Sequence, residues 1–176
     1  MGWFNVIKGS YPSLQQIDKT LDVASGEVGI VRGSLIKQVG TTFVLAQDTD
    51  ATIASAYLYF ALQAQTDLVA GMAGSIGQGI GGGVARITGL AVGTQMEVET
   101  SVYDTAQSPY AVGDLLTVGV DGVVTKHGTG DNCIGEVTKI DGTRYVDGAT
   151  FVTGWSTGAN VNVLTMRCYW IPLLTL

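Results

Sequence analysis

Apolar and polar residues alternate most regularly over residues 94–103. The two alternating sets are Met96, Val98, Thr100 and Val102, and Gln95, Glu97, Glu99 and Ser101. A period of two is typical of a β-strand that has one face in the core and the other in water. We therefore predict a strand here, with Glu97 and Glu99 on its solvated face.

Other short runs rich in β-branched and aromatic residues predict further strands. Residues 29–47 read GIVRGSLIKQVG followed by TTFVLAQ and fit two strands. Residues 51–65 are ambiguous, because one spacing of their apolar residues fits a helix face and another fits a buried strand. Their aromatic content favours the strand. A last β-prone run, residues 161–174, contains Pro172, which interrupts strand pairing.

Three Asp-Gly pairs indicate turns, at residues 121–122, 141–142 and 147–148. Asp-Gly is a preferred centre of a type I′ hairpin turn, because both residues tolerate positive φ. The first pair predicts a hairpin over residues 116–126. The other two predict a meander over residues 139–152, with a strand of only about four residues between the turns.

The N-terminal segment, residues 1–27, differs from the rest because it concentrates the aromatic residues Trp3, Phe4 and Tyr11. Its other apolar residues have helical spacing and fit one short helix, with an extended arm as the alternative. The helical spacing is that of Leu14, Ile17 and Leu21. Such an arm is usually tied down, on its own domain or on a neighbouring subunit, because free termini fray. We therefore divide the chain into an N-terminal arm, residues 1–27, and a single β domain, residues 28–176.

The number of short strands and glycine-containing turns determines the predicted fold class. Many such strands with at most one helix predict an all-β fold, a small barrel or sandwich of short antiparallel strands and hairpins. The 176 residues fit one domain with a substantial core. Charged residues make up 14% of the chain, against about 25% in typical soluble domains, and the mean hydropathy is +0.31. So few charges indicate either large solvated surfaces of Thr, Ser, Gln and Gly or a surface that other subunits cover; we favour the second and predict a homo-oligomer.

The charge balance and the apolar stretches argue against two classes of partner. Nine Lys and Arg against fifteen Asp and Glu give a net charge of −6, and the basic residues do not cluster. Nucleic-acid backbones need such clusters, so we expect no nucleic-acid partner. The most apolar stretch, residues 51–64, is too short to span a bilayer as a helix, so we expect no membrane partner. The N-terminus lacks the apolar core of a secretory signal, which indicates synthesis in the cytoplasm.

A glycine-rich segment, residues 71–83, contains the dinucleotide-binding spacing GxGxxG at Gly77, Gly79 and Gly82. That motif binds pyrophosphate only where a strand precedes it and a helix follows it. Residues 84–92 read VARITGLAV and favour a strand. We therefore interpret the segment as a loop whose glycines allow close backbone approach or mobility.

Candidate catalytic and metal-binding residues are few and isolated. His127 is the only histidine and follows a predicted hairpin strand, where an exposed turn residue is favoured over a general base. Glu97 and Glu99 lie roughly 7 Å apart along one strand face, a spacing compatible with a glycosidase pair, but solvated carboxylates are favoured. The remaining candidates are the loop carboxylates Asp48, Asp50, Asp121 and Asp131 and the cysteines Cys133 and Cys168. Their spacing matches neither a calcium loop nor a zinc site, so we predict no metal. Since no candidate stands in a catalytic pattern, we also predict no enzyme activity and no cofactor. Both cysteines are predicted to be small core or near-surface residues.

Two tryptophans keep an alternative function open. Trp155 lies in a loop-like segment and Trp170 lies beside Tyr169. Exposed, they would form a sugar-stacking surface and favour a carbohydrate-binding or virion adhesion module. Such residues more often fill the end of a barrel or a subunit interface.

Four segments within residues 87–137 resemble the small β-barrel of tailed-bacteriophage capsid decoration proteins, also called cement proteins. The segments read ITGLAVGTQMEVET, YAVGDLLTV, DGVVT and CIGEV. The resemblance implies a virion protein on the outer capsid surface, often a trimer, that binds the major capsid protein and clamps adjoining capsomers. Under this hypothesis Trp3, Phe4 and Tyr11 are the candidate interface residues, because an arm adds a strand or aromatic anchors to a neighbour.

Overall fold

The computed structural model of the chain describes residues 2–8, 19–27, 29–52, 58–62, 86–93, 96–146 and 159–169. Within these ranges eleven strands form two sheets, and the helical structure is limited to three short 3-10 segments. The prediction of an all-β fold is therefore confirmed. The strands are β1 (Phe4–Lys8), β2 (Lys19–Val23), β3 (Leu35–Val39), β4 (Thr42–Leu45), β5 (Leu58–Ala61), β6 (Arg86–Ala91), β7 (Glu97–Thr100), β8 (Leu115–Val118), β9 (Val124–Lys126), β10 (Gly135–Val146) and β11 (Ala159–Cys168).

Five strands close into a barrel in the order β2-β4-β3-β5-β6. β2 and β4 pair in parallel, and the other pairs between described strands are antiparallel. The rings of Phe43 and Tyr59 meet edge to face, with their centroids 5.3 Å apart. Gly89 makes room for them, because a Cβ atom there would lie 2.9 Å from the Cβ of Tyr59 and 3.0 Å from the Phe43 ring. The strand interior therefore needs glycine at this position.

The second sheet has the order β1-β7-β11-β10-β8-β9 and packs against the barrel. The main core joins apolar residues of the sheet, such as Phe4 and Leu164, to barrel residues such as Leu35 and Phe60. The rings of Phe4 and Phe60 lie 4.8 Å apart, within the range of favourable aromatic pairs. One core therefore fastens the sheet to the outside of the barrel.

Most predicted strands are confirmed. Residues 29–47 contain β3 and β4, which form a hairpin, and residues 94–103 contain β7. The ambiguous residues 51–65 contain the strand β5 at Leu58–Ala61. The C-terminal run overlaps β11, which begins two residues before it, at Ala159, and ends at Cys168.

The three Asp-Gly pairs have different outcomes. The first confirms its prediction, since Asp121 and Gly122 have φ values of 54° and 71° in the turn between β8 and β9. The turn prediction for Asp141 and Gly142 is wrong, because both lie inside the continuous strand β10. The register there shifts by one residue, which makes a β-bulge, while β11 continues alongside. The third pair, residues 147–148, lies outside the described residues.

The described parts of the N-terminal segment are strands of the two sheets. β1 pairs with β7 at the edge of the sheet, and β2 pairs with β4 and β6 in the barrel. Leu21 lies in β2, so the helix prediction is wrong at that residue. Leu14 and Ile17 lie outside the described residues.

β10 and β11 continue together beyond the sheet. β8 and its preceding turn bond β10 only as far as Val137, and β7 pairs with β11 only from Leu164 to Arg167. Residues 140–146 and 159–163 pair with each other and with no third strand among the described residues. We call this two-stranded extension the ribbon. At about 3.3 Å per residue, its seven-residue strand spans roughly 20 Å.

Candidate functional site

The outer face of the sheet, opposite the core, carries a buried carboxylate. Along β7 the side chain of Val98 points into the core, so Glu97 and Glu99 lie on the outer face, as their alternation predicts. The prediction that both are solvated is wrong for Glu99, which is only 3% exposed. Thr165, its partner on β11, and Val163 are also buried. The outer face is therefore covered around Glu99.

Three N–H groups bind the Glu99 carboxylate. Trp3 Nε1 donates to Oε2 over 2.6 Å. Arg144 Nη2 donates to Oε1 over 2.5 Å, and its Nε donates to Oε2 over 3.2 Å. Two parallel N–H donors from one guanidinium form the strongest common type of ion pair in proteins. The buried negative charge is therefore compensated on both oxygens.

Strand pairing explains how Trp3 reaches Glu99. Ser101 N–H donates to the Trp3 carbonyl oxygen over 3.0 Å, and Trp3 N–H donates to the Ser101 hydroxyl over 2.8 Å. Asn5, two residues further along, lies opposite Glu99. Side chains two apart share a strand face, so Trp3 lies diagonally beside Glu99 on the outer face.

Arg144 reaches Glu99 from the ribbon. It lies opposite Val161 on β11, while Thr165 on the same strand lies opposite Glu99. Val161, Val163 and Thr165 alternate on one face, so the Arg144 side chain runs back along that face toward the sheet. Its contact with Glu99 therefore fixes the direction of the ribbon relative to the sheet.

Glu97 belongs to a separate polar group at the same face. Its Oε1 accepts a hydrogen bond from the Thr138 hydroxyl over 2.7 Å, and Thr138 lies where the register of β10 shifts. Next to it, Arg167 pairs with Glu136 at 3.3 Å. Burial raises the pKa of Tyr169 to about 12, and a hydrogen bond with the Glu136 carboxylate adds to the shift.

This geometry favours a positioning role for Glu99 over acid chemistry. A glycosidase pair needs one protonated carboxyl and one free carboxylate facing the substrate. Glu99 instead holds three N–H donors, and Glu97 accepts from a hydroxyl of its own sheet. Every buried side-chain nitrogen and oxygen atom among the described residues has a hydrogen-bond partner.

The structure separates the predicted interface residues. Phe4 is 2% exposed and packs in the chain's own core against Phe60. Trp3 is half-buried, and its N–H is bound to Glu99. Tyr11 lies outside the described residues.

The other candidate residues have local partners. His127 Nε2 lies 2.9 Å from the carbonyl oxygen of Asp131, within one turn. Asp50 is buried and pairs with Lys37 Nζ at 2.6 Å. Both cysteines are free thiols in the core, as predicted. In the described ranges, no three His, Cys, Asp or Glu side chains are grouped as a metal site would require.

Several other predictions fall outside the described residues. They concern the glycine-rich residues 71–83, Trp155 and Trp170. Arg144 and Thr138 carry no local sequence signal of a site, because their partners lie 45 and 41 positions away in the chain. Nothing in the sequence specifies the pairing of β7 with β11 that brings these residues together.

No known protein family, characterised protein or solved structure compared with this chain gives a significant match. Among the described residues, no helix has the length and apolar character needed to cross a bilayer.

Proposed function

We propose that this chain is a structural virion protein that binds the outer surface of a tailed-phage capsid and stabilises the contacts between adjoining capsomers. Its partners would be the major capsid protein and further copies of itself, with a trimer favoured. The observation that supports this best is the ribbon, because it is built for contact with another polypeptide. The choice of a phage capsid as the partner is supported by the resemblance of residues 87–137 to capsid decoration proteins.

The ribbon carries little charge, and no third strand among the described residues pairs with its edges. A two-stranded ribbon alone is marginally stable in water, since its edges leave N–H and C=O groups without strand partners. Among its described residues only Asp141 and Arg144 carry charge, and Arg144 is bound to Glu99. Ile140 at its base is 53% exposed. Such a surface suits strand addition by a neighbouring protein.

The segment that carries the resemblance is the scaffold from which the ribbon extends. Residues 87–137 contain most of β6, all of β7, β8 and β9, and the start of β10. In its middle, the tip of the β8–β9 hairpin docks on the barrel, where Gly122 N–H donates to the Ala46 carbonyl oxygen over 2.8 Å. A rigid scaffold with a projecting ribbon fits a protein that spans the boundary between two capsomers.

Association with virus particles tests the proposal. We expect the chain to copurify with assembled capsids of the virus that encodes it, and Ile140→Glu to lower its occupancy on them. Val39→Glu is the matched control, because Val39 is 52% exposed at the β3–β4 turn, away from the ribbon. Absence of the wild-type chain from purified particles contradicts the proposal. If both variants lose the same occupancy on capsids, the ribbon is not the contact surface.

A further inference from the structure

A single buried carboxylate connects three parts of the chain that are far apart in sequence. Glu99 lies in β7, Trp3 directly precedes β1, and Arg144 lies in the ribbon. The separations from Glu99 are 96 and 45 residues. β1 is the edge strand next to β7, and the ribbon is the extension of β10 and β11. One side chain therefore contacts both an edge strand of the sheet and the ribbon.

We propose that Glu99 couples the N-terminal strand β1 to the ribbon, so that loosening either element loosens the other. Trp3 and Arg144 are positioning residues in this device. A partner that captures the ribbon and displaces Arg144 would thereby release the hold on β1. The proposal stands on the contacts at Glu99 and does not depend on the capsid function.

The physical basis is the cost of leaving a buried charge without its partners. Without Arg144, the Glu99 carboxylate keeps the neutral Trp3 N–H but loses both guanidinium donors, and a buried charge that loses its charged partner is strongly unfavourable. The carboxylate gains by turning toward water, which breaks its bond to Trp3 and frees the start of β1. In the other direction, loss of the Trp3 donor leaves Oε2 with only the longer bond to Arg144 Nε, at 3.2 Å. That weakens the attachment of the ribbon.

Arg167 and Glu97, two other charged residues on this face, have their own partners. Arg167 pairs with Glu136, and Glu97 accepts from Thr138. Neither takes part in the bonds that hold Glu99. Arg167 therefore offers a control for the loss of an arginine from the same face without a contact to Glu99.

Amide hydrogen exchange of the full chain tests the coupling, because it reports local opening segment by segment. Trp3→Phe should speed exchange in the ribbon, residues 140–146 and 159–163, by about twofold or more. Arg144→Met should do the same in residues 3–8. Twofold is the low end of the coupling measured between side chains of one hydrogen-bond network. Arg167→Met should leave residues 3–8 unchanged.

The crossed effects decide the outcome. If Trp3→Phe alters only residues 3–8 and Arg144→Met alters only the ribbon, the coupling is refuted. An equal effect of Arg167→Met on residues 3–8 refutes it as well, since that variant leaves Glu99 bound. Should Arg144→Met unfold the whole chain, Arg144→Lys asks the same question, because lysine keeps the charge but loses the two-point contact.

Discussion

Replacing Glu99 with glutamine removes the charge at the centre of the outer face and keeps the size of the side chain. The amide of glutamine presents one oxygen and one NH₂ group. If the oxygen keeps its bond to Arg144, the NH₂ group faces the indole N–H of Trp3, now 2.6 Å away donor to donor. The same NH₂ group also faces Arg144 Nε, which donates to Oε2 in the wild type. Glu99→Gln therefore breaks two hydrogen bonds, from Trp3 Nε1 and from Arg144 Nε, and leaves only a neutral contact with Arg144 Nη2.

The size of the loss follows from burial. Breaking a fully buried ion pair costs about 3–5 kcal/mol, but the Arg144 side chain is 38% exposed and can be hydrated, which lowers that cost. An unsatisfied buried donor at Trp3 adds about 1 kcal/mol or more. We expect Glu99→Gln to lower the free energy of unfolding by about 3 kcal/mol in total. Natural domains typically have a free energy of unfolding of about 5–15 kcal/mol, so this is a large fraction of the whole.

Urea unfolding measures this loss directly. With a slope of about 2 kcal/mol per molar urea, a loss of about 3 kcal/mol lowers the midpoint by about 1.5 M. Glu97→Gln is the matched control, because it makes the same chemical change two residues away, where a single hydroxyl donates to the carboxylate. We expect its midpoint to fall by less than about 0.5 M. A fall below about 0.3 M for Glu99→Gln, with an unchanged slope, refutes the reasoning.

Three further predictions concern the turn, a tyrosine and a thiol. Gly122→Ala should destabilise the fold by about 3 kcal/mol, because φ is +71° and a Cβ atom would lie 2.4 Å from the Leu35 carbonyl oxygen, well inside van der Waals contact. Gly130→Ala, with φ of +91° and open space around it, should cost about 1 kcal/mol, and equal losses in urea would speak against the docking of the hairpin tip. Burial, with help from a nearby carboxylate, raises the pKa of Tyr110 to about 12, so the folded state holds a proton that the unfolded state releases from about pH 10. The free energy of unfolding should therefore fall as the pH rises from about 10 to about 12, and it should fall less steeply in Tyr110→Phe. The same dependence on pH in both proteins would contradict the raised pKa of Tyr110. Burial also raises the pKa of the Cys168 thiol, so a thiol reagent at pH 8 should modify it only after unfolding, and rapid modification of the native chain would count against its burial.

Alternation along β7 was enough to predict which face each residue occupies. Val98 points into the core, and Glu97 and Glu99 lie opposite. The same pattern wrongly predicted that Glu99 is solvated, because the burial of an outer face depends on which other segments cover it. For Glu99 those segments bring Trp3 and Arg144, and their approach is set by strand pairing over long sequence distances.

The Asp-Gly pairs show where local turn chemistry decides the structure and where it does not. At Asp121 both turn residues take positive φ, and the hairpin forms as predicted. At Asp141 the same dipeptide lies within a strand, because β11 pairs with the residues before it and with the residues after it. Ile140 lies opposite Leu164 and Thr143 lies opposite Asn162, so one extra residue is absorbed as a bulge. A longer partner strand outweighs a favourable turn sequence.

A reconstruction of virus particles that carry this chain tests the proposed function most directly. We predict added density on the outer surface of the shell, bridging neighbouring capsomers, with residues 140–146 or 159–163 in contact with the shell or with a second copy. Density inside the shell, or a chain bound with its ribbon entirely in solvent, would contradict the proposal.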